Sequence, residues 1–276
     1  MADFEGSTLL ATDTVAVWHV VCRGGGTPEG DEECGESTHF VLPYWGLYVR
    51  HVGRTQAVIE PSQMAVFNAN EPYRVSHPVD GGDACVSIGL SAPTLLELIP
   101  SDLLQGRERA TLNRSYIRID AKTQAHAAVL RHRLNRRAIG ILEAESMTLA
   151  LVGRALGQRS APGPRATAHT RRFVDHAKVV IAADLGCRRA LADIATEVGL
   201  SPIYLTQIFQ HVEGIPMYRY QLRLRLARAL DLLGDYDDVT DLALALGFSS
   251  HSHFSAAFKQ VYGQTPSAFR KLSRLH

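Results

Sequence analysis

At 276 residues, 46 % apolar and 21 % charged, the chain is long enough for two globular domains, and no run approaches the roughly 20 uncharged apolar residues of a membrane span. The chain has four cysteines without dense spacing, which argues against a disulfide framework. Its N-terminus carries Asp3 and Glu5, which argues against an export leader. Together these features predict a cytoplasmic protein without membrane association. The formal net charge of +1 is unevenly spread, at −10 over residues 1–106, +7 over residues 107–159 and +4 over residues 160–276, so a polyanion is expected to bind the middle or C-terminal part.

Residues 1–106 are expected to form a small β domain. Short stretches rich in Val, Tyr and Phe alternate with turns such as RGGGTPEG and PVDGGD, a pattern typical of a sandwich or barrel. The predicted strands are Thr14–Cys22, His39–His51, Gln56–Ile59, Met64–Phe67, Tyr73–Ser76 and Cys85–Leu90.

Residues 107–159 change to a helical period and are predicted to form a pair of helices. One helical face carries Ala121, Ala125, Ala128, Val129 and His132; the second helix carries Leu142, Leu149, Val152 and Leu156. This basic pair could cover the β domain or contact a second copy of the chain as a dimerisation element, and the sequence leaves both interpretations open. Residues 160–169 then form a Gly-, Pro- and Ala-rich linker.

An internal repeat within residues 190–266 is the most informative feature of the sequence. DIATEVGLSPIYLTQIFQHVEGIP begins at Asp193, and DLALALGFSSHSHFSAAFKQVYGQTP begins at Asp241. Each copy predicts a short helix, a turn at Gly199 or Gly247, and a second helix that begins after a Ser N-cap. The predicted caps are Ser201 in the first copy and Ser249 or Ser250 in the second.

The second helix of each copy has one apolar and one polar face. Spacings of three and four residues place Leu205, Ile208, Phe209 and Val212 inward, matched by Phe254, Ala257, Phe258 and Val261. A packed rear face and a polar front, entered through a tight turn, are typical of a helix-turn-helix recognition helix, whereas a helical hairpin that binds nothing is the alternative. A long helix over residues 216–233 joins the two units and could hold them about one DNA turn, roughly 34 Å, apart.

The run from Gly247 to Lys271, GFSSHSHFSAAFKQVYGQTPSAFRK, resembles the signature of the AraC/XylS family of bacterial transcription regulators, and the first copy fits the same family. The resemblance covers about residues 170–274. It implies seven helices with two helix-turn-helix units that place two recognition helices in successive major grooves, and it therefore implies double-stranded DNA as a partner.

The resemblance assigns the DNA-contacting positions residue by residue. The groove-facing positions are Ile203, Thr206 and Gln207 in the first unit and His251, Ser252, His253, Ser255 and Ala256 in the second. The further predicted DNA contacts are Ser201, Tyr204, Gln210, Ser249, Ser250 and Lys259. Neither set contains Arg, so bidentate reading of guanine by Arg is not available there, whereas Gln can read adenine. Phosphate contacts are expected from Arg188, Arg189, Arg219, Lys259 and Arg270.

In this family the N-terminal part usually senses a ligand or mediates association, and it often resembles a cupin-like β-barrel. An aromatic pocket for a small organic effector is predicted to use Trp18, Trp45, Phe67 and Tyr73. An enzyme is not expected, because residues 1–100 lack the His-x-His of a catalytic cupin. No metal or cofactor is predicted, although Cys22, Cys34, His77 and Cys85 are ligand types for zinc and leave that question open.

The sequence thus predicts an α+β protein with a cupin-like β-barrel and helical pair followed by an all-α domain with two helix-turn-helix units. The expected domains are residues 1–106, 107–159 and 170–274, with the linker 160–169 between the last two. The predicted function is an effector-controlled transcription regulator that acts as a homodimer, with RNA polymerase as a further partner. The alternative is a ligand-independent DNA-binding regulator whose barrel only dimerises.

Overall fold

The computed structural model of the protein describes residues 4–26, 29–105, 110–158, 166–187, 189–236 and 238–274. Within these ranges the chain has the predicted α+β architecture, with a sheet-rich first half and a helical second half. Residues 160–165 of the predicted linker lie outside the described residues. No helix in the described part of the chain combines the length and apolar character that crossing a membrane would take.

Nine strands in the described ranges form two sheets. They are β1 (Phe4–Ala11), β2 (Val15–Cys22), β3 (His39–Trp45), β4 (Tyr48–Val52), β5 (Thr55–Ile59), β6 (Gln63–Phe67), β7 (Arg74–Ser76), β8 (Asp83–Leu90) and β9 (Tyr116–Arg118). The larger sheet has the order β1-β2-β8-β3-β6-β9 and the smaller one the order β5-β4-β7. All the pairings are antiparallel.

The predicted strand His39–His51 is in fact two strands, and the predicted barrel is correspondingly an arrangement of two sheets that do not close into one ring. The break falls at Gly46, whose φ of 69° is in the left-handed region. A Cβ at this position would lie 2.4 Å from the carbonyl oxygen of Gly82, so glycine permits both the bend and the close approach. The chain leaves the large sheet at this point and enters the small one.

The elements of the first half without a counterpart among the predicted ones include β1, β9 and helix α1 (Ala92–Leu98). Strand β1 is mostly exposed at the edge of the large sheet, and its Gly- and Ser-containing sequence lacks the alternation that marks a half-buried strand. Strand β9 has only three residues and pairs with β6, so it is too short to produce a periodic pattern.

The predicted helical pair is present as α2 (Ala121–Asn135) and α3 (Ile141–Leu156). Helix α3 covers the large sheet with Ala144, Leu151 and Val152, whereas Leu142 is 78 % exposed and points away from it. Helix α2 has two buried faces, since Leu130 and Leu134 join the core of the sheet while its alanine face joins the core of the helical half. It therefore covers the β domain and also packs against the C-terminal half of the same chain.

The described C-terminal half contains seven helices, the number that the resemblance implies. They are α4 (Ala168–Ala183), α5 (Leu191–Val198), α6 (Pro202–Glu213), α7 (Met217–Leu232), α8 (Val239–Ala245), α9 (His251–Tyr262) and α10 (Pro266–Arg274). They form two cores, one around α4, α5 and α6 and one around α8, α9 and α10, and α7 contributes residues to both.

Candidate DNA interface

Helices α5 and α6 form the first helix-turn-helix unit. The chain reverses at Gly199, which has a φ of 78° and closes the end of α5. The hydroxyl of Ser201 then accepts a hydrogen bond from the backbone N–H of Tyr204 at 3.3 Å, and Pro202 occupies the first turn of α6. These are the glycine corner and serine cap that the sequence predicts.

Helices α8 and α9 repeat this geometry in the second unit. Gly247 has a φ of 76°, and the hydroxyl of Ser250 accepts a hydrogen bond from the N–H of His253 at 3.2 Å. Ser250 is therefore the N-cap, while Ser249 lies outside the helix with its hydroxyl 3.3 Å from Nδ1 of His253. Of the two predicted candidates for the cap, the structure selects Ser250.

The rear faces of α6 and α9 are buried as predicted. Leu205 and Phe209 of α6 are 0 % exposed, as are their counterparts Phe254 and Phe258 of α9. Each helix is thus fixed against its own core, because a buried aromatic side chain contributes a large apolar area to packing. The opposite faces of α6 and α9 point towards solvent.

The front of α6 presents a mixed apolar and amide surface. Ile203 is 74 % exposed and Tyr204 is 47 % exposed, and Gln207 and Gln210 are also exposed. Thr206 is half-buried and its hydroxyl donates to the carbonyl of Pro202 at 2.8 Å. An exposed amide beside a large exposed apolar side chain is a combination that can bind a base edge, because an amide matches adenine and an apolar group matches a thymine methyl.

The front of α9 is built from small hydroxyl and imidazole groups. His251, Ser252 and His253 are exposed in its first turn, followed by exposed Ala256 and Lys259. Ser255 is half-buried, with its hydroxyl 3.3 Å from Nε2 of His251. The structure therefore brings the predicted groove-facing positions of each unit onto one surface.

Helix α7 is the predicted connector of the two units, and two of its arginines turn inward. One of them, Arg225, is 9 % exposed and donates to the carbonyls of Leu185, Cys187 and Gly247 at 2.6, 2.9 and 3.3 Å. It therefore ties the segment after α4 to the turn of the second unit. Sequence reasoning missed this role, because an Arg beside exposed Arg223 on a mostly apolar helix has no distinguishing spacing.

The basic side chains predicted to contact phosphates differ in their exposure and in their hydrogen-bond and ion-pair partners within the chain. Lys259 and Arg219 are exposed, although Nε of Arg219 lies 3.2 Å from the hydroxyl of Tyr218. Arg189 pairs with Glu197 at 2.6 Å, Arg270 donates to the carbonyl of Tyr236, and Arg188 lies outside the described residues.

The C-terminal end of α6 is anchored to the sheet-rich half by buried charges. Glu213, the last residue of α6, accepts from Arg118 of β9 at 2.8 Å and lies 3.5 Å from the ammonium of Lys178 in α4. Burial opposes the charge of this carboxylate, but Lys178 and Arg118 hold the pKa of Glu213 below its usual range. The first recognition helix is thus directly connected to the N-terminal half.

A second polar contact joins the two halves around α7. Arg131 of α2 pairs with Asp231 at 2.7 Å, and its guanidinium lies 3.9 Å from the ring centre of Tyr44. Arg228 lies 4.7 Å from the ring centre of Trp45, and burial raises the pKa of Tyr44 to about 12. Beside this contact lies a cavity of about 330 Å³, bounded by Trp45, Gly46, Val79 and Asp80 on one side and by the end of α4, α7 and α8 on the other.

The four aromatic residues predicted to bind an effector are spread over three places. Trp45 lines this interdomain cavity, whereas Trp18 is 37 % exposed on β2 and covers Gly89. Phe67 is buried with its ring 4.6 Å from that of Tyr73, and buried Arg50 lies over it at 4.5 Å. The structure therefore does not bring the four side chains to one surface.

The family comparison matches the C-terminal part of the chain. A family profile described as a helix-turn-helix domain matches residues 194–272. The Msm operon regulatory protein of Streptococcus mutans serotype c is 33 % identical over 103 residues, which cover 37 % of each chain. The melibiose operon regulatory protein of Escherichia coli K12 is 33 % identical over 107 residues, which cover 38 % of this chain and 35 % of that protein.

Among solved structures, the chain is similar to a transcriptional regulator from Chromobacterium violaceum described as containing an AraC-type DNA-binding domain. The two are 30 % identical over 39 % of this chain and 97 % of that one, with a TM-score of 0.37. The chain spans little more than a third of the length of the two curated relatives above.

Proposed function

The chain belongs to the AraC/XylS family through its C-terminal helix-turn-helix domain, and from that premise we propose that it is a transcription regulator that reads a specific DNA sequence with α6 and α9. The observation that carries the proposal is the repeated geometry of these two helices. Each is capped by a serine, buried on its rear face and exposed on its polar front. An enzyme is not proposed, since the site offers base-reading and phosphate-binding groups.

Selection of duplexes from a randomised pool by the full-length protein tests the proposal. We expect one enriched motif with two half-sites about 10–10.5 base pairs apart, because the two recognition helices would enter successive major grooves. Affinity should fall steeply with salt, with a log–log slope of about −4 to −5 if about five phosphates are neutralised. Equal affinity for every duplex would contradict sequence-specific regulation.

We further propose that a small organic effector occupies the interdomain cavity. The volume of about 330 Å³ is at the small end of ligand pockets, and the walls combine the indole of Trp45 with the guanidinium of Arg228. Because this cavity lies between the two halves, a ligand that fits one arrangement better than another would shift the population of DNA-competent molecules.

A thermal-shift screen of small molecules on the full-length protein tests this effector proposal, since a ligand that prefers the folded state raises its stability. The stabilisation by a hit should be lost in Trp45→Ala and kept in Trp18→Ala, because Trp18 lies outside the lining of the cavity. A screen without such a hit favours the alternative, a ligand-independent regulator whose N-terminal half only mediates association.

Homodimerisation is part of the same proposal, and α3 supports it. The apolar face of α2 is covered by the chain's own C-terminal half, whereas Ile141 and Leu142 at the start of α3 are 67 % and 78 % exposed. Sedimentation should show a dimer at tens of micromolar, and the double variant Ile141→Ser/Leu142→Ser should be monomeric. A monomeric wild-type protein would contradict the proposed homodimer.

Contact with RNA polymerase and a cytoplasmic location remain predictions that follow from DNA as the partner.

A further inference from the structure

Three chemically distinct side chains meet at one end of the N-terminal sheet. Cys22 is the last residue of β2, His77 follows β7, and Asp83 is the first residue of β8. One potential ligand atom from each lies within 4.8 Å of the other two. The three residues are 8 %, 7 % and 2 % exposed. Cys22 and Asp83 are direct partners in the β2–β8 pairing, so backbone hydrogen bonds fix their approach.

The polar atoms of this cluster are incompletely satisfied. Oδ1 of Asp83 lies 2.9 Å from Nε2 of His77 but takes part in no hydrogen bond of acceptable geometry. A buried carboxylate oxygen without a donor is costly unless a positive charge compensates for it. This oxygen, buried beside a thiol and an imidazole, therefore describes a pocket that favours a cation.

We propose that Cys22, His77 and Asp83 bind one divalent transition-metal ion of the zinc class. A thiolate, an imidazole and a carboxylate are the donor types that Zn²⁺ takes, whereas Mg²⁺ and Ca²⁺ select oxygen donors. Three protein ligands leave a fourth tetrahedral position for water or another donor. Because the metal takes a thiolate and a neutral imidazole, its uptake is coupled to release of protons.

The backbone around the cluster is packed closely enough to hold the three ligands in place. Gly82, which precedes Asp83, has a φ of 78°, and a Cβ there would lie 1.7 Å from the carbonyl oxygen of Cys22. Gly46 packs against the Cα of Asp83 in the same way, at 2.8 Å from its own would-be Cβ. Because Val79, Asp80 and Gly82 also line the interdomain cavity, a bound ion would stiffen one wall of that cavity.

The remaining cysteines supply the controls. Cys34 and Cys187 are exposed and lie outside the cluster, while Cys85 is buried two residues after Asp83. Of the ligand set that the sequence left open, the structure keeps Cys22 and His77 together and adds Asp83. A double variant Cys34→Ser/Cys187→Ser removes the exposed thiols and leaves the cluster intact.

The test uses full-length protein stripped with a chelator and titrated with Co²⁺, whose thiolate-to-metal absorption reports a sulfur ligand, followed by displacement with Zn²⁺. We expect one equivalent per chain in the wild type and in Cys34→Ser/Cys187→Ser. Affinity should fall by about 100-fold in Cys22→Ser and in Asp83→Asn, since even residues that only support metal ligands change affinity by about 10–100-fold. Circular dichroism checks that each variant folds.

Binding of less than half an equivalent by the wild type would overturn the proposal. So would a thiolate band that disappears when only the exposed cysteines are replaced, or an affinity unchanged in folded Cys22→Ser. If Cys22→Ser does not fold, two measurements on Cys34→Ser/Cys187→Ser test the proposal. The Co²⁺-loaded variant should show the thiolate band, and Zn²⁺ should raise the melting temperature of the variant. Absence of either result refutes the proposal.

Discussion

Arg131 of α2 and Asp231 of α7, one hundred residues apart in the chain, form an ion pair at 2.7 Å between the N-terminal and DNA-binding halves. The two residues are 5 % and 8 % exposed. Asp231 also accepts from Arg228, whose guanidinium stacks on Trp45. One carboxylate therefore holds two arginines that each contact an aromatic side chain of the sheet-rich half, and this makes it the central polar group of the interface.

Removal of this carboxylate should destabilise the protein more than removal of either arginine. Asp231→Ala leaves two guanidinium groups without their shared partner, a change that costs about 3–5 kcal/mol for a buried pair. Arg131→Met should cost less, because Arg228 still neutralises Asp231. Urea denaturation followed by Trp fluorescence, which reports on Trp18 and Trp45 in the N-terminal half, and by circular dichroism gives both values. Equal losses in the two variants would contradict the shared role of Asp231.

Arg225 should be far more sensitive to substitution than Arg223 on the same helix. The guanidinium of Arg225 donates to three backbone carbonyls. A lysine ammonium cannot reproduce the planar arrangement of donors that makes these contacts. Arg225→Lys should therefore cost about 1.5–3 kcal/mol, the value of one hydrogen bond to a charged group. Arg223→Lys, at an exposed position, is the control and should change stability little. A similar, small loss in both would show that the three carbonyl contacts add nothing.

The difference between these two arginines illustrates what the sequence can predict. The caps, the glycine corners and the buried and exposed faces of α6 and α9 follow from neighbours within four residues, so the repeat alone predicts them. The contacts of Arg225 join residues 22 to 40 positions apart, and no local period encodes them. The second buried face of α2 also escaped prediction, because alanines on a helix pack equally well against a sheet, a second copy or another helix.

The N-terminal half shows the same limit of local patterns. The alternation of Val, Tyr and Phe predicts strands, but the division into two sheets depends on Gly46 fitting against Gly82, 36 residues later. Likewise Cys22, His77 and Asp83 come together only through the β2–β8 pairing and the turn before it. Residue types therefore left the question of a metal site open, whereas only the fold shows which of these side chains lie together.

Stability should decrease as pH falls below about 6.5 because of His132. This residue is 5 % exposed, and burial, with help from Arg131 and Arg136, lowers its pKa to about 3; Nε2 lies 2.8 Å from the carbonyl of Leu230. In the unfolded chain the pKa of a histidine is about 6.5. Between pH 6.5 and 3 the unfolded state thus binds one proton more than the folded state, and up to about 1.4 kcal/mol is lost per pH unit.

Urea denaturation at pH values from 7.5 to 4.5 measures this dependence. His132→Gln should flatten the pH profile of the unfolding free energy below pH 6.5, although it lowers stability at pH 7.5. His211→Gln, at an exposed position, is the matched control and should leave the slope as it is in the wild type. An unchanged slope in folded His132→Gln would mean that other groups cause the acid sensitivity.

The two turn glycines should respond differently to alanine. Gly199 and Gly247 have φ values of 78° and 76°, so alanine costs about 1–2 kcal/mol of left-handed strain at either position. At Gly199 a Cβ meets nothing within 4 Å, whereas at Gly247 it would lie 2.5 Å from the carbonyl oxygen of Gly186 and 3.0 Å from the guanidinium of Arg225. Gly247→Ala should therefore be clearly less stable than Gly199→Ala in urea denaturation, and equal stabilities would contradict the close approach of Gly186.

Gln207 is predicted to read an adenine through the first recognition helix. It is exposed on the front of α6, one turn after Ile203, and its amide offers the donor and acceptor that adenine N7 and N6 require. Gln207→Ala should cost about 1–3 kcal/mol on the selected duplex and flatten the preference at one base pair. Gln210→Ala is the matched control: the residue is exposed on the same helix, but recognition helices reach bases mainly with their N-terminal residues. Selection from a randomised duplex pool with wild type and both variants separates base reading from phosphate contact, since loss of a phosphate contact weakens all sequences about equally. A base preference that is unchanged at every position in Gln207→Ala would show that another side chain reads this part of the site.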